Sequence, residues 1–111
     1  MIYTLPFKFF LLIAAHFLLD FPLQSDIVAI NKNRNAKTKM QESIPWWYFL
    51  TAHAFCHGLA VALITQSLWL ALAETLLHFI IDFFKCEKYY SIHFDQSLHL
   101  MCKIAWIAYL L

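Results

Sequence analysis

The feature that most constrains the fold is a hexapeptide that occurs twice. The residues His16-Phe-Leu-Leu-Asp20-Phe return as His78-Phe-Ile-Ile-Asp82-Phe, and each copy lies inside an apolar run. On a helix, a His and an Asp four residues apart project from the same face, one turn from each other. Burying such ionisable groups is unfavourable unless they bind each other or a ligand. The repeat therefore predicts helices whose polar faces meet around a common site.

Composition predicts that these helices lie in a membrane. The chain is 62% hydrophobic and 14% charged, whereas a soluble domain is about half apolar and about a quarter charged. Its 111 residues allow one domain, residues 1–111. The net charge of +1 gives no field that would attract nucleic acid, so we expect the lipid bilayer, and no nucleic acid, as a partner. Cys56, Cys86 and Cys102 fit neither a disulfide framework nor a zinc knuckle.

Four apolar segments predict an all-α, four-helix membrane bundle. They cover residues of about 2–21, 44–65, 68–84 and 93–111. At about 1.5 Å per residue, the last segment only just crosses a hydrocarbon layer of ~30 Å. We expect the first segment to stay in the protein instead of being cleaved as a signal, because its motif recurs. Since the chain has one glycine, we do not expect close glycine-mediated helix crossings.

The polar segments set the orientation. Residues 24–43 include Lys32, Arg34, Lys37 and Lys39, and residues 85–92 include Lys85 and Lys88. The positive-inside rule places both segments in the cytoplasm, which puts both termini outside it. We interpret the loop lysines as a solvated face near anionic lipid. Within and after the first loop, Ser25 is predicted to cap a short helix, and Ser43 to cap the second long one.

This topology brings polar residues of all four segments to similar depths. The predicted histidine layer contains His16, His53, His78 and His99, and the aspartate layer contains Asp20, Asp82 and Asp95. The second and fourth segments also correspond, because His53-Ala-Phe-Cys56-His57 aligns with His99-Leu-Met-Cys102-Lys103. We therefore predict two helical hairpins related by a pseudo-two-fold axis, as in the repeats of larger membrane proteins.

Imidazoles and carboxylates from facing helices are the groups with which bundles hold metals. The predicted metal ligands are His16, His53, His78, His99, Asp20 and Asp82. This set favours zinc, as one or two ions, with manganese or iron as alternatives. Asp95, Asp20 and Asp82 are the candidate catalytic residues, since a carboxylate near a metal-bound water can transfer its proton. The alternatives are a hydrogen-bonded polar core and a proton relay.

Other polar residues have weaker assignments. Gln24 and Gln96 at the cytoplasmic mouth, and the deeper His57 and Lys103, are candidates for substrate binding. For the two glutamines, a solvated helix end is an equal alternative. We expect Cys56 and Cys102 to be apolar filler in preference to thiolate ligands. Glu74 and His93 are assigned to headgroup or partner contacts at the membrane interface.

The ordered motifs resemble those of a known but uncharacterised family. They are His16-x-x-x-Asp20-Phe21-x-x-Gln24, His53, His78-x-x-x-Asp82 and Asp95-Gln96-x-x-His99. Together they are similar to small multi-span membrane proteins of bacteria and their phages, which implies a multi-pass protein of the bacterial inner membrane but no reaction. A looser similarity connects them to integral-membrane metal-dependent hydrolases with His and Asp ligands on several spans.

Two functions follow from this pattern. The first is a metal-dependent membrane hydrolase, with its site near the cytoplasm, that acts on a lipid headgroup, a phosphoester or a small cytosolic molecule. The second is a non-enzymatic bacterial or phage protein, whose polar core binds or conducts protons or divalent ions, or which acts on a host membrane protein. A core that only sets helix register is a third interpretation. The short fourth segment is also compatible with a homodimer.

Overall fold

The computed structural model describes residues 3–111, and these residues form helices and turns without any strand. The start of the first predicted segment, residue 2, lies outside them. The helices are α1 (Leu5–Asp20), α2 (Asp26–Asn31), α3 (Met40–Ser43), α4 (Trp46–Thr65), α5 (Leu68–Cys86) and α6 (Ile92–Leu110), with a 3₁₀ turn at Arg34–Ala36. Each predicted apolar segment corresponds to one long helix, although α5 ends two residues later and α6 begins one residue earlier than predicted. The all-α fold class is confirmed.

Three of the helices have a serine as their N-cap residue. The hydroxyl of Ser25 accepts a hydrogen bond from the amide of Val28, as predicted for α2, and Ser67 and Ser91 cap α5 and α6 in the same way. The predicted cap at Ser43 is wrong, because Ser43 ends α3. Pro45 precedes α4 and keeps the residue before it extended, so Ser43 is too far away to cap that helix.

The four long helices pack side by side in the order α1, α4, α5, α6, and α6 closes the ring against α1. The resulting body measures 47 × 25 × 23 Å. In this order, α1 and α5, which carry the two copies of the hexapeptide, occupy opposite corners. The imidazoles and carboxylates of the two copies therefore approach the bundle axis from opposite sides.

The contact between α4 and α5 depends on Gly58. A Cβ atom at Gly58 would collide with the side chain of Thr75 and lie 3.0 Å from the carbonyl oxygen of Ala71. The crossings that were not expected are those of the GxxxG type, and this one has a single glycine. One glycine is enough, because it faces the small residues Ala71 and Thr75 at the point where the two helices cross.

Polar side chains lie inside this bundle and apolar side chains lie outside. Among the described residues, 13 polar or charged side chains are buried, compared with 8 apolar ones. Large apolar side chains cover the outer surface, with Phe10 63% and Trp69 73% exposed. A water-soluble protein has the opposite distribution, and apolar surface on this scale marks a membrane or protein contact.

One helix of the described residues, α4 (Trp46–Thr65), is long and apolar enough to cross a membrane on these two criteria alone. Helix α1 has 16 residues, and α5 and α6 carry charged residues on their buried faces. The same charged residues that lower the apolar character of these helices form the polar interior.

An apolar cluster fills the bundle at the end away from the α1–α2 and α5–α6 connections. Its buried members are Leu12, Val61, Leu70 and Trp106. Each long helix contributes one of them, and the cluster lies between the histidines and the buried Lys8 and Thr65, one turn further along α1 and α4.

Candidate metal centre

The centre is built from residues that repeat every four positions along the buried faces of the helices. Because four residues is close to one helical turn, their side chains form a row on one side of each helix. The rows contain His16 and Asp20 on α1, His53 and His57 on α4, Glu74, His78 and Asp82 on α5, and Asp95, His99 and Lys103 on α6. All ten side chains are buried.

Asp20 is surrounded by three imidazoles. Its Oδ1 atom lies 2.8 Å from Nε2 of His57 and 3.1 Å from Nε2 of His53. The same oxygen lies 3.5 Å from Nε2 of His78. One ligand atom from each of these four residues lies within 4.8 Å of the others. We call these residues the Asp20 cluster.

The Asp20 cluster has the spacing of a metal site. Nε2 of His57 and Nε2 of His78 both face Oδ1 of Asp20, and Nδ1 of His78 has no hydrogen-bond partner among the described residues. Buried nitrogens without partners are unfavourable and uncommon. In a tetrahedral zinc site, bonds of about 2.0–2.1 Å place the ligand atoms about 3.3 Å apart. The distances of 2.8, 3.1 and 3.5 Å from Oδ1 of Asp20 to the three imidazole nitrogens lie on both sides of this value.

Asp82 faces the same imidazoles from the opposite corner. Its Oδ2 atom lies 3.3 Å from Nε2 of His53 and 3.4 Å from Nε2 of His78. The same oxygen accepts a hydrogen bond of 3.0 Å from Nζ of Lys32. The carboxylate of Asp82 is thus already balanced by a cation of the protein, whereas no lysine or arginine is paired with Asp20 among the described residues.

Lys32 is a site residue that the sequence interpretation missed. It follows α2 and was assigned to the solvated face of the loop, but its side chain is largely buried against Asp82. Burial opposes its positive charge, yet the charge of Asp82 raises the pKa of Lys32 above its ordinary value. Gln41 stabilises this loop, because its side-chain amide donates hydrogen bonds to the carbonyl oxygens of Asn31 and Asn33. No sequence pattern distinguishes Lys32 from its neighbouring lysines.

Gln96 connects the carboxylates of α1 and α6. Its side-chain nitrogen donates to Asp20 Oδ2 at 2.9 Å and to Asp95 Oδ2 at 3.2 Å. Its side-chain oxygen accepts from Nε2 of His16 at 2.8 Å. His99 lies on the other side, with Nε2 3.0 Å from Asp82 Oδ1 and 3.5 Å from Asp95 Oδ1. The structure thus brings all six predicted metal ligands, Gln96 and Asp95 into one network.

Two further groups of this network have closely spaced ligand atoms. They are His16 with His78 and His99, and Asp20 with Asp95 and His99. Both share a member with the Asp20 cluster, so these groups overlap in space. Only the Asp20 cluster contains four possible ligands, which is the number that a closed zinc site requires.

A cavity of about 210 Å³ leads to this network from the loop end of the bundle. Its lining includes the three aspartates Asp20, Asp82 and Asp95, the glutamines Gln24 and Gln96, the lysines Lys32 and Lys85, and the apolar residues Phe21 and Ile92. The two glutamines therefore lie at the mouth, as predicted. Gln24 donates to the carbonyl oxygen of Asp20 at 2.8 Å and so also fixes the end of α1.

His57 and Lys103, the two deeper candidates for substrate binding, do not line this cavity. His57 belongs to the Asp20 cluster. Lys103 forms an ion pair with Glu74, on the side of the histidines away from the cavity. The interfacial position expected for Glu74 is wrong, since Glu74 is 0% exposed. Its spacing of four residues from His78 is the signal that places it on the buried face.

Residues 8–111 match the model of a family described as a protein of unknown function, DUF3307. No curated protein and no solved structure matches the chain. The match confirms the predicted resemblance to an uncharacterised family. The bacterial membrane and phage setting stays a prediction.

Proposed function

The chain belongs to the DUF3307 family, which assigns it no activity, and we propose from its site that it is a divalent-metal-dependent hydrolase of the membrane. Three features support this proposal. They are an apolar outer surface, a buried set of imidazole and carboxylate ligands, and a cavity that reaches these ligands from one end. The set of ligands carries the proposal. The apolar outer surface supports a location in the membrane, and the cavity indicates from which end a substrate reaches the ligands.

The distribution of side chains supports an integral-membrane four-helix bundle. Its long helices have 16 to 20 residues and are roughly 24–30 Å long, close to the thickness of the hydrocarbon layer. The basic loops lie at the same end as the cavity, so the positive-inside rule opens the site to the cytoplasm of a bacterium. In this orientation the protein is a multi-pass protein of the inner membrane with both termini outside the cytoplasm.

The observation that carries the proposal is the Asp20 cluster, in which one ligand atom from each of four buried residues lies within 4.8 Å of the others. Three imidazoles and one carboxylate favour zinc. We propose a single ion, because the second half of the chain cannot repeat the cluster. There, Lys103 replaces His57 in the aligned sequence, and Lys32 already neutralises Asp82.

Zinc at the Asp20 cluster would activate a water that takes the place of one of the four protein ligands, and it would polarise the bond to be cleaved. The protein then has to move a proton and hold the substrate. Asp95 is placed for the proton, because it lines the cavity and belongs with Asp20 and His99 to one group of closely spaced ligand atoms. Gln96 holds Asp95 and Asp20 in fixed positions. In the overall reaction water is consumed, and the proton that Asp95 accepts passes to the leaving oxygen.

A protein that conducts protons or ions is the second candidate, and the shape of the interior argues against it. A conducting path needs polar groups or water from one end of the bundle to the other. Here Leu12, Val61, Leu70 and Trp106 fill the end opposite the cavity. A site that is reached from one side suits a reaction better than transport.

Metal content tests the ligand assignment. The purified full-length protein should contain about one zinc per chain by elemental analysis, and anomalous scattering at the zinc edge should place it beside Asp20. The variants His57→Ala and His78→Ala should lose this metal, while His93→Ala, which alters an exposed histidine, should keep it. Wild-type protein without stoichiometric metal, or unchanged metal in His78→Ala, would refute the proposal.

Hydrolysis tests the reaction separately. The metal-loaded protein should cleave at least one member of a panel of phosphoesters and lipid esters, and Asp95→Asn should be slower by roughly 10²–10⁴-fold, the usual contribution of a general base. Metal content must be equal in the two proteins. Proton or ion flux through liposomes, without hydrolysis of any member of the panel, would support the conducting function instead.

A further inference from the structure

A second cavity adjoins the one that reaches the aspartates. It has a volume of about 270 Å³, and its lining includes Lys32, Lys85 and Lys88. Lys32 and Lys85 also line the first cavity. The two cavities are therefore neighbours, separated by the side chains of two lysines.

The second cavity is strongly cationic. Asn33 and Tyr90 are its other polar lining residues, and no carboxylate lines it. Lys32 is paired with Asp82, whereas Lys85 and Lys88 form no ion pair with any of residues 3–111. Tyr90 adds no negative charge, because burial and the charges of Asp95 and Asp82 raise the pKa of Tyr90 to about 12. Two lysines without a counter-charge in one cavity, Lys85 and Lys88, favour the binding of an anion.

The backbone of Lys88 adds a second observation. Lys88 follows the end of α5 and has a φ of 64°, in the left-handed region. With this backbone conformation, the amide of Tyr89 donates a hydrogen bond to the carbonyl oxygen of Phe84. Glycine or asparagine is the usual residue at such a helix end, since a side chain there costs roughly 1–2 kcal/mol. Unfavourable backbone conformations of this kind cluster at functional sites.

We propose that the cavity of Lys32, Lys85 and Lys88 binds a phosphate group of the substrate. Each ammonium group has three donors, and phosphate oxygens accept such charge-assisted bonds. The inference deepens the proposed hydrolase, on which it rests for the reaction: a phosphate held here places the adjoining part of the substrate in the first cavity, beside Asp95. The substrate is thus a phosphate-bearing molecule, and the phosphate belongs either to a lipid headgroup or to a soluble ester.

Apolar residues at the same end of the bundle fit a substrate with acyl chains. Phe21 and Ile92 line the first cavity, and Ile27 and Ile30 are exposed on α2, the helix whose residue Ala29 lines the second. A lipid phosphate would place its chains against these residues. A soluble ester would need only the lysines. A lipid would contact both the lysines and the apolar residues.

Binding measurements on the purified full-length protein in detergent test the phosphate site. Glycerol 3-phosphate, titrated by calorimetry, represents a soluble ester. Dioleoyl phosphatidic acid, compared with dioleoyl phosphatidylcholine by native mass spectrometry, represents a lipid. The test variants are Lys85→Gln and Lys88→Asn, since asparagine tolerates the left-handed backbone. The matched control is Lys39→Gln, an exposed loop lysine that lines neither cavity.

The wild type should bind at least one phosphate probe, and each test variant should bind it about fivefold more weakly, as expected for the loss of one cation. Lys39→Gln should bind like the wild type. Binding of glycerol 3-phosphate identifies a soluble ester, and selective binding of phosphatidic acid identifies a lipid headgroup. No binding of either probe, or an equal loss in Lys39→Gln, would overturn the proposal. Metal content is measured in each preparation, so absence of metal with intact phosphate binding would refute the hydrolase and leave this site standing.

Discussion

Removing one member of the Glu74–Lys103 ion pair should destabilise the fold more than removing both. Glu74 is 0% exposed and Lys103 is 1% exposed, and Oε2 of Glu74 has no hydrogen-bond partner in addition to the pair. Lys103→Met therefore leaves a carboxylate in the interior without any counter-charge. Loss of one partner from a buried pair costs about 3–5 kcal/mol, which lowers the stability constant by roughly two to three and a half orders of magnitude.

The double variant should behave differently. With Glu74→Leu and Lys103→Met together, neither charge of the pair stays buried, and replacement of a buried ion pair by apolar residues is often neutral or stabilising by about 1–4 kcal/mol. Leucine is a suitable residue because Leu12 occupies the equivalent position, four residues before the histidine, in the first copy of the repeat. The double variant should thus recover most of the stability that either single variant loses.

A double-mutant cycle measures this coupling. The four proteins are unfolded with denaturant in detergent micelles, and tryptophan fluorescence follows the transition. Metal content is determined in each, because Glu74 and Lys103 lie one helical turn from His78 and His99. Single variants that each cost less than about 1 kcal/mol, the range of an exposed pair, would contradict the buried pairing. A double variant as unstable as the sum of the single variants would show that the two residues do not interact.

Three other changes have defined outcomes. Gly58→Val should force α4 and α5 apart and lower the free energy of unfolding by about 1–3 kcal/mol, as overpacking does. Gly58→Ala should lower the free energy of unfolding by less, and thermal melts of the two variants measure the difference. Asp20→Asn should abolish metal binding and Asp82→Asn should retain it, as elemental analysis will show. Tyr90→Phe should remove a phenol with a titration midpoint near pH 12 from the alkaline ultraviolet spectrum. Because the pKa is raised on folding, the stability that Tyr90 contributes is present below about pH 10 and is lost as the pH rises through 12.

The long helices and most of the site could be predicted because both depend on local spacing. Apolar runs and capping residues determine where a helix begins and ends, so the predicted segment 68–84 corresponds to α5 at Leu68–Cys86. The spacing of four residues then fixes which side chains share a face. For this reason His16 and Asp20 on one helix, and His78 and Asp82 on another, could be placed together before any contact was known.

The contacts that could not be predicted depend on residues distant in sequence. Lys32 reaches Asp82, 50 residues later, only because a hydrogen-bonded loop brings it there. Gly58 is important through the two side chains of α5 that face it, and nothing near Gly58 in the sequence identifies them. Glu74 was misplaced for another reason: its spacing of four residues from His78 already placed it on the buried face of α5, where it meets Lys103.

The apolar cluster of Leu12, Val61, Leu70 and Trp106 has a consequence for the proposed hydrolase. Because the cluster lies at one end of the interior, a product released beside Asp95 would have to leave through the same mouth that admits the next substrate molecule. Product and substrate would then compete for the lysines and glutamines at that mouth. A hydrolase of this shape should slow as its phosphate-bearing product accumulates, and both molecules should stay on the side of the membrane that carries the basic loops.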